Sequence, residues 1–306
     1  MLRRMKARGL LFAVALSSAT ASAQTSFLVI GDWGRDGAGY QTAVATQMAA
    51  AAARLHAAFV VSVGDNFYEE GVQTSHDNQF KTSFEDIYKA PSLQIPWFVA
   101  IGNHDYHGNV DAEIDYSKID PRWHMPARYF TVHQKIDDTT ALDLFFLDTS
   151  PFVTQYRTED KYKSHVAGID TKAQVHWLDS AMAASNAKWK MVVGHHPIYS
   201  ASPKHGNTPE LIKAINPLLI KYHAQVYLCG HDHNLQHLHL GHIDYFVSGG
   251  GSEARLAGHG AHTLWSATSP GFLAVEMSAT SMRAQFINQR GKILDSTAVR
   301  ATATPE

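Results

Sequence analysis

The chain has 306 residues, 45% hydrophobic and 18% charged, which is too apolar for a disordered chain and long enough to bury a large core. Its 26 Lys+Arg stand against 28 Asp+Glu, and removing a leader that carries four bases and no acids leaves 22 against 28, or −6. That balance, with no basic run, argues against a nucleic-acid binder held by phosphate neutralisation, and a single cysteine, Cys229, excludes an intrachain disulfide framework and any multi-cysteine zinc site.

The leader is the first element. Arg3, Arg4, Lys6 and Arg8 precede a short apolar run, Leu10 to Leu16, and Ala21-Ser22-Ala23 suits cleavage before Gln24. Residues 1–23 therefore read as an export signal, which places the mature chain in the periplasm or the medium. The run is too short for a bilayer span, which needs about 20 apolar residues.

After the leader, short apolar strands stop at a glycine followed by polar residues. Phe27 to Ile30 runs into Gly31-Asp32, Phe59 to Val63 into Gly64-Asp65, and Trp97 to Ile101 into Gly102-Asn103-His104. Lys190 to Val193 runs into Gly194-His195-His196, and Val226 to Cys229 into Gly230-His231-Asp232-His233. Continuous apolar runs of this kind predict strands buried on both faces. Helical spacing over Tyr40 to Ala57, Thr171 to Ser185 and Thr208 to Tyr222 predicts crossover helices, hence parallel βαβ units whose polar loops gather at the strand ends. Beyond residue 234 the shorter strands Leu235 to Leu240, Ile243 to Val247 and Phe272 to Met277 predict a second, largely antiparallel sheet packed on the first. With no linker or repeat, residues 24–306 are expected to form one domain.

Each Gly-polar cluster alone is an ordinary turn; the joint pattern carries more. Asp32, Asp65, Asn103, His195, His231 and His233 offer carboxylate, carboxamide and imidazole donors, each just after a buried strand. Such oxygen and nitrogen donors suit first-row transition metals, and they are too many for one tetrahedral ion. Two ions sharing a carboxylate is the economical assignment, and paired ions are a recurrent device for phosphoryl hydrolysis.

In order, Gly31-Asp32-Trp33-Gly34, Gly64-Asp65-Asn66-Phe67-Tyr68, Gly102-Asn103-His104-Asp105, Val193-Gly194-His195 and Gly230-His231-Asp232-His233 resemble the motifs of the purple acid phosphatases within the metallophosphoesterase superfamily. The likeness continues through Thr82 to Asp86, Tyr116 to Ile119 and Cys229 to Gln236, covers most of residues 27–250, and is strongest to the small tartrate-resistant branch. The resemblance implies an α/β fold, a four-layer α/β/β/α sandwich of two mixed β-sheets flanked by helices. It implies a ferric ion on Asp32, Asp65, Tyr68 and His233, and a divalent ion, Fe(II), Zn(II) or Mn(II), on Asp65, Asn103, His195 and His231, with Asp65 bridging. Anionic oxygens at the first site and mostly neutral donors at the second suit that division of charge.

The activity so implied is acid hydrolysis of phosphate monoesters, small molecules or phosphoproteins, by a metal-bound hydroxide and with no phosphoenzyme. His104 is implied to bind substrate and protonate the leaving oxygen, His205 is either a second substrate-side histidine or an exposed loop residue, and Asp105 either orients His104 or forms the turn. The metal motifs do not fix the second ester group, so a phosphodiesterase or nucleotide pyrophosphatase remains an alternative, as does an iron-binding protein with weak phosphatase activity. In the animal enzymes a loop overhangs the site; Pro151 to Asp170 occupies that interval here without a cysteine, and Cys229 is expected to be a buried thiol.

Overall fold

A computed structural model describes residues 25–301, so the expected leader lies outside the described residues. The chain first lays down four parallel strands, β1 (Thr25–Ile30), β2 (Phe59–Ser62), β3 (Trp97–Val99) and β4 (Trp123–His124). It then crosses to a second sheet with β5 (Phe130–Lys135), β6 (Ala141–Phe146), β7 (Trp189–Val193), β8 (Val226–Cys229), β9 (Leu235–Leu240), β10 (Ile243–Ser248) and β11 (Thr263–Ala267). It returns with β12 (Gly271–Met277), β13 (Ser281–Asn288) and β14 (Ile293–Arg300), which pair antiparallel beside β1. The result is two mixed seven-stranded sheets, ordered β14-β13-β12-β1-β2-β3-β4 and β11-β9-β10-β8-β7-β6-β5.

The expected second sheet is therefore corrected in its membership. Of the strands beyond residue 234, β9, β10 and β11 extend the sheet that already holds β7 and β8, whereas β12 to β14 rejoin the first. β10 pairs parallel with β8 and antiparallel with β9, so each sheet carries both pairing types.

The apolar strands have two buried faces because each sheet is covered on both sides. From β1, Phe27 and Val29 enter the core between the sheets with Val61, Leu144, Val193 and Leu228. Leu28 and Ile30 face the other way, onto Val44 and Met48 of α1 (Gln41–Leu55). The short α2 (Val110–Tyr116) and α3 (Asp160–Val166) bury Tyr116, Tyr162 and Val166 in that same outer core, whereas on the far side Phe145, Val192 and Tyr227 of the second sheet pack on Leu178 and Met182 of α4 (Thr171–Ala184). Four layers follow from this alternation, and each fully buried aliphatic or aromatic side chain contributes roughly 1.5 to 3 kcal/mol toward holding them.

The helix expected over Thr208 to Tyr222 is two helices, α5 (Pro209–Ala214) and α6 (Asn216–Lys221). Pro217 has no amide hydrogen and its ring clashes with the preceding turn, which breaks the helix at Ile215. Cys229 is a buried free thiol, and among the described residues no helix is long and apolar enough to cross a membrane.

Candidate metal centre

The polar loops leave the carboxyl ends of β1, β2, β3, β7 and β8, so both sheets feed one spot where parallel strands end. Three residues there hold left-handed backbone without being glycine: Asp32 (φ 60°), Asp65 (φ 52°) and His231 (φ 67°). Each such conformation costs on the order of 1 kcal/mol and persists only where the surroundings impose it. Here they do. The amide of Asp32 donates to the Gly64 carbonyl at 3.0 Å, and that of His231 donates to Asp32 Oδ2 at 3.0 Å. Trp33 anchors the first loop, its indole N–H donating to Ser62 Oγ at 2.8 Å within a nest of buried aromatic rings.

On one side of the spot lies the Tyr68 hydroxyl. It stands 2.8 Å from Asp65 Oδ2, 3.1 Å from Asp32 Oδ1 and 3.2 Å from His233 Nε2. The other nitrogen of His233 faces Glu253 Oε2 at 3.1 Å. A carboxylate only accepts, so Nδ1 donates toward Glu253, while Nε2 faces the phenol and, at 3.3 Å, Asp32 Oδ1. The hydroxyl thus stands among two carboxylate oxygens and an imidazole nitrogen. Burial, then the charges of Asp32 and Asp65, push the phenol well above its ordinary value.

The other side repeats the arrangement around His195. Its Nδ1 donates to the Val63 carbonyl at 2.9 Å, while Nε2 lies 3.1 Å from Asn103 Oδ1, 3.2 Å from His231 Nδ1 and 3.4 Å from Asp65 Oδ1. Burial opposes charge on His195, but the Asp65 carboxylate outweighs it and raises the imidazole to about 9. His231 is driven the opposite way, well below its ordinary value, by burial and by the neighbouring imidazoles, which keeps its lone pair available. Burial alone would raise Asp65; the charges of His195 and His104 outweigh it and hold the carboxyl low.

Two clusters of converging oxygen and imidazole atoms, with Asp65 in both, are what a pair of cations would fit, and such donors suit first-row ions. Ligand atoms of Asp32, Asp65 and His195 already lie within 4.8 Å of one another. Asp65 turns one oxygen to each cluster, the position a shared ligand would take.

His104 and His205 both line the open cavity of about 490 Å³ above these clusters. His104 sits with its ring 4.4 Å from that of Tyr68 and its Nδ1 2.8 Å from the Glu69 carbonyl. The ring of His205 lies 4.2 Å from that of His231, and burial, then the charges of Lys204 and Arg255, lower it to about 4. Asp105 makes its contacts with the loop backbone around these residues. Its carboxylate is fully buried beneath the loops and accepts from the amides of Asn66, Phe67 and Gly102 at 2.8, 3.1 and 2.7 Å.

Several participants were absent from the sequence reading. Arg35 lays its guanidinium 3.8 Å over the Tyr68 ring and pairs with Glu69 and Glu253. Glu253 orients His233, and a signal for it existed: β10 runs into Gly249-Gly250-Gly251-Ser252-Glu253, the same strand-glycine-polar pattern as the other loops. Tyr162 and Tyr156, from the segment Pro151 to Asp170, reach Asn103 and His196, at 2.9 and 3.0 Å. Nothing in their spacing announced this.

The sequence profile of the calcineurin-like phosphoesterase family matches residues 25–235. The chain is 40% identical over 284 residues to purple acid phosphatase 3 of Arabidopsis thaliana, covering 88% of this chain and 76% of that protein. It is 37% identical over 302 residues to tartrate-resistant acid phosphatase type 5 of Homo sapiens, covering 91% and 92%. Among solved structures the fold is similar to GAP50, the anchor in the inner membrane complex of Plasmodium (TM-score 0.80, 24% identity, 92% and 90% covered). It is also similar to a purple acid phosphatase from yellow lupin seeds (TM-score 0.65, 16% identity, 91% and 54% covered). With two clusters of metal-fitting donors around Asp65 and this extent of sequence likeness, the chain belongs to the purple acid phosphatases, metallophosphoesterases that hydrolyse phosphate monoesters at a binuclear metal centre.

Proposed function

We propose that the protein is an exported acid phosphatase in which Asp32, Asp65, Tyr68 and His233 hold a ferric ion and Asp65, Asn103, His195 and His231 hold a divalent one, Fe(II), Zn(II) or Mn(II). The observation that carries this reading is the division of Asp65, with Oδ2 2.8 Å from the Tyr68 hydroxyl and Oδ1 3.4 Å from His195 Nε2. The anionic oxygens fall on one side and the neutral donors on the other, as a trivalent and a divalent ion would require. When bound, such a pair supplies positive charge for the phosphate oxygens and activates water for attack on phosphorus.

The chain's own residues then have defined tasks. His233 is held by Glu253 and His195 by the Val63 carbonyl, so each presents one fixed nitrogen to the centre. Arg35 covers the outer face of the Tyr68 ring. His104 protonates the leaving oxygen. Its Nδ1 is held by the Glu69 carbonyl, which leaves Nε2 as the nitrogen free to meet the substrate. His205, on the cavity wall against His231, contacts the rest of the substrate, a small phosphate monoester or a phosphoprotein. Export rests on the residue 1–23 leader, which agrees with an enzyme working at acidic pH outside the cytoplasm.

His104→Ala tests the assignment. Turnover of p-nitrophenyl phosphate should fall about 100-fold or more with both ions retained. Unchanged turnover would remove His104 from the chemistry and favour an ion-binding protein with incidental activity. Faster cleavage of bis(p-nitrophenyl) phosphate than of the monoester would favour a phosphodiesterase.

A further inference from the structure

Asn103 is the weakest donor in the proposed centre, a neutral carboxamide that has to compete with solvent for an ion and can present either its oxygen or its NH₂ group. What holds it is a side chain from outside the motif loops. Asn103 Nδ2 donates to the Tyr162 hydroxyl at 2.9 Å, which leaves Oδ1 facing His195 Nε2 at 3.1 Å. Turning the carboxamide over would direct NH₂ into the cluster.

Tyr162 is itself held rigidly. It is 2% exposed, stacks on Tyr156 with ring centroids 4.1 Å apart, and meets the His107 ring at 4.8 Å. The Tyr156 hydroxyl lies 3.0 Å from His196 Nε2, and His196 Nδ1 lies 2.9 Å from Thr149 Oγ1. The His196 ring in turn packs 4.4 Å from His231 and 5.0 Å from His195. The two tyrosines therefore form a wall behind the side of the centre that holds Asn103, His195 and His231.

Building on the ligand assignment above, we infer that Tyr162 is a positioning residue for the divalent site: its hydroxyl locks the Asn103 carboxamide with the oxygen inward, so that the segment 151–170 completes one half of the metal centre. Partners of this kind, bonded to a ligand and not to the ion, typically change metal affinity 10- to 100-fold when removed. A packed core tyrosine would serve through its ring alone, and removing the oxygen would leave ion binding untouched.

The experiment compares wild type, Tyr162→Phe and Tyr156→Phe as purified full-length holoproteins. Competing chelator titrations read the affinity of each ion, and the visible spectrum reads the ferric site. Tyr162→Phe should weaken the divalent ion about 10-fold or more while the visible band stays at its wild-type position. Tyr156→Phe keeps the Tyr162 hydroxyl and should weaken the same ion less than about threefold. Wild-type divalent affinity in Tyr162→Phe, or equal losses in the two variants, overturns the role of the hydroxyl. Fewer than two ions in the wild type would overturn the metal assignment itself and this inference with it, a failure visible before any variant is made.

Discussion

Asp105 accepts the backbone amide of Asn66 at 2.8 Å, and through the same carboxylate the amides of Phe67 and Gly102, so it staples the loop after β2 to the loop after β3. The first of those loops carries Asp65 and Tyr68; the second carries Asn103 and His104. Proposed ligands from separate strands are thereby held at a set distance by a residue outside the proposed ligand set.

Removing that staple should therefore be costly. Asp105→Ala leaves three buried amides without an acceptor, and each unmade bond of this kind costs about 1 to 3 kcal/mol. Denaturant unfolding should show a loss on the order of 3 kcal/mol or more. A loss below about 1 kcal/mol would mean that the loops are held by other contacts.

Gly102 is required by close approach. A Cβ there would lie 2.1 Å from Asp65 N and 2.2 Å from Asp65 Oδ1, which backbone cannot yield without moving the carboxylate. Gly102→Ala should purify with fewer than two ions per chain, read by elemental analysis. Full metal content in that variant would show that the proposed bridging carboxylate tolerates displacement.

Tyr68→Phe keeps the ring beneath the Arg35 guanidinium, 3.8 Å away, and removes only the oxygen between Asp32 and Asp65. The melting temperature should change by only a few degrees, while the visible absorption of the iron-loaded protein is lost. Retained colour would take Tyr68 off the ferric ion.

Asp148 supplies a pH dependence away from the metal clusters. It is fully buried, accepts from the Tyr106 hydroxyl, and is raised to about 7 by burial, which the hydroxyl and Arg128 only partly offset. A carboxyl that binds its proton more tightly in the folded chain stabilises the fold below its unfolded value near 4 and loses that contribution as pH rises toward 7. Unfolding free energies from pH 4 to 8 should therefore fall in the wild type relative to Asp148→Asn, by an amount on the order of a few kcal/mol. Parallel profiles for the two proteins would show that Asp148 stays ionised when buried.

Much of the molecule could be read from residue order because its information is local. Buried strands are apolar on both faces, and loops at their carboxyl ends need glycine for close approach and place polar side chains next, so Asp32, Asp65, Asn103, His195, His231 and His233 stand out in the chain before any fold is known. Tyr68 stood out only through its place in a motif. Tertiary structure alone decided which sheet received β12 to β14, because edge pairing depends on which strand is left open and not on the apolar pattern of the newcomer. It also decided the tasks of Asp105, Glu253 and Tyr162. A carboxylate that staples two loops, one that orients an imidazole and a phenol that turns a carboxamide are each defined by a partner 20 to 59 residues away. Hydrogen-bond direction and burial exist only once those partners meet.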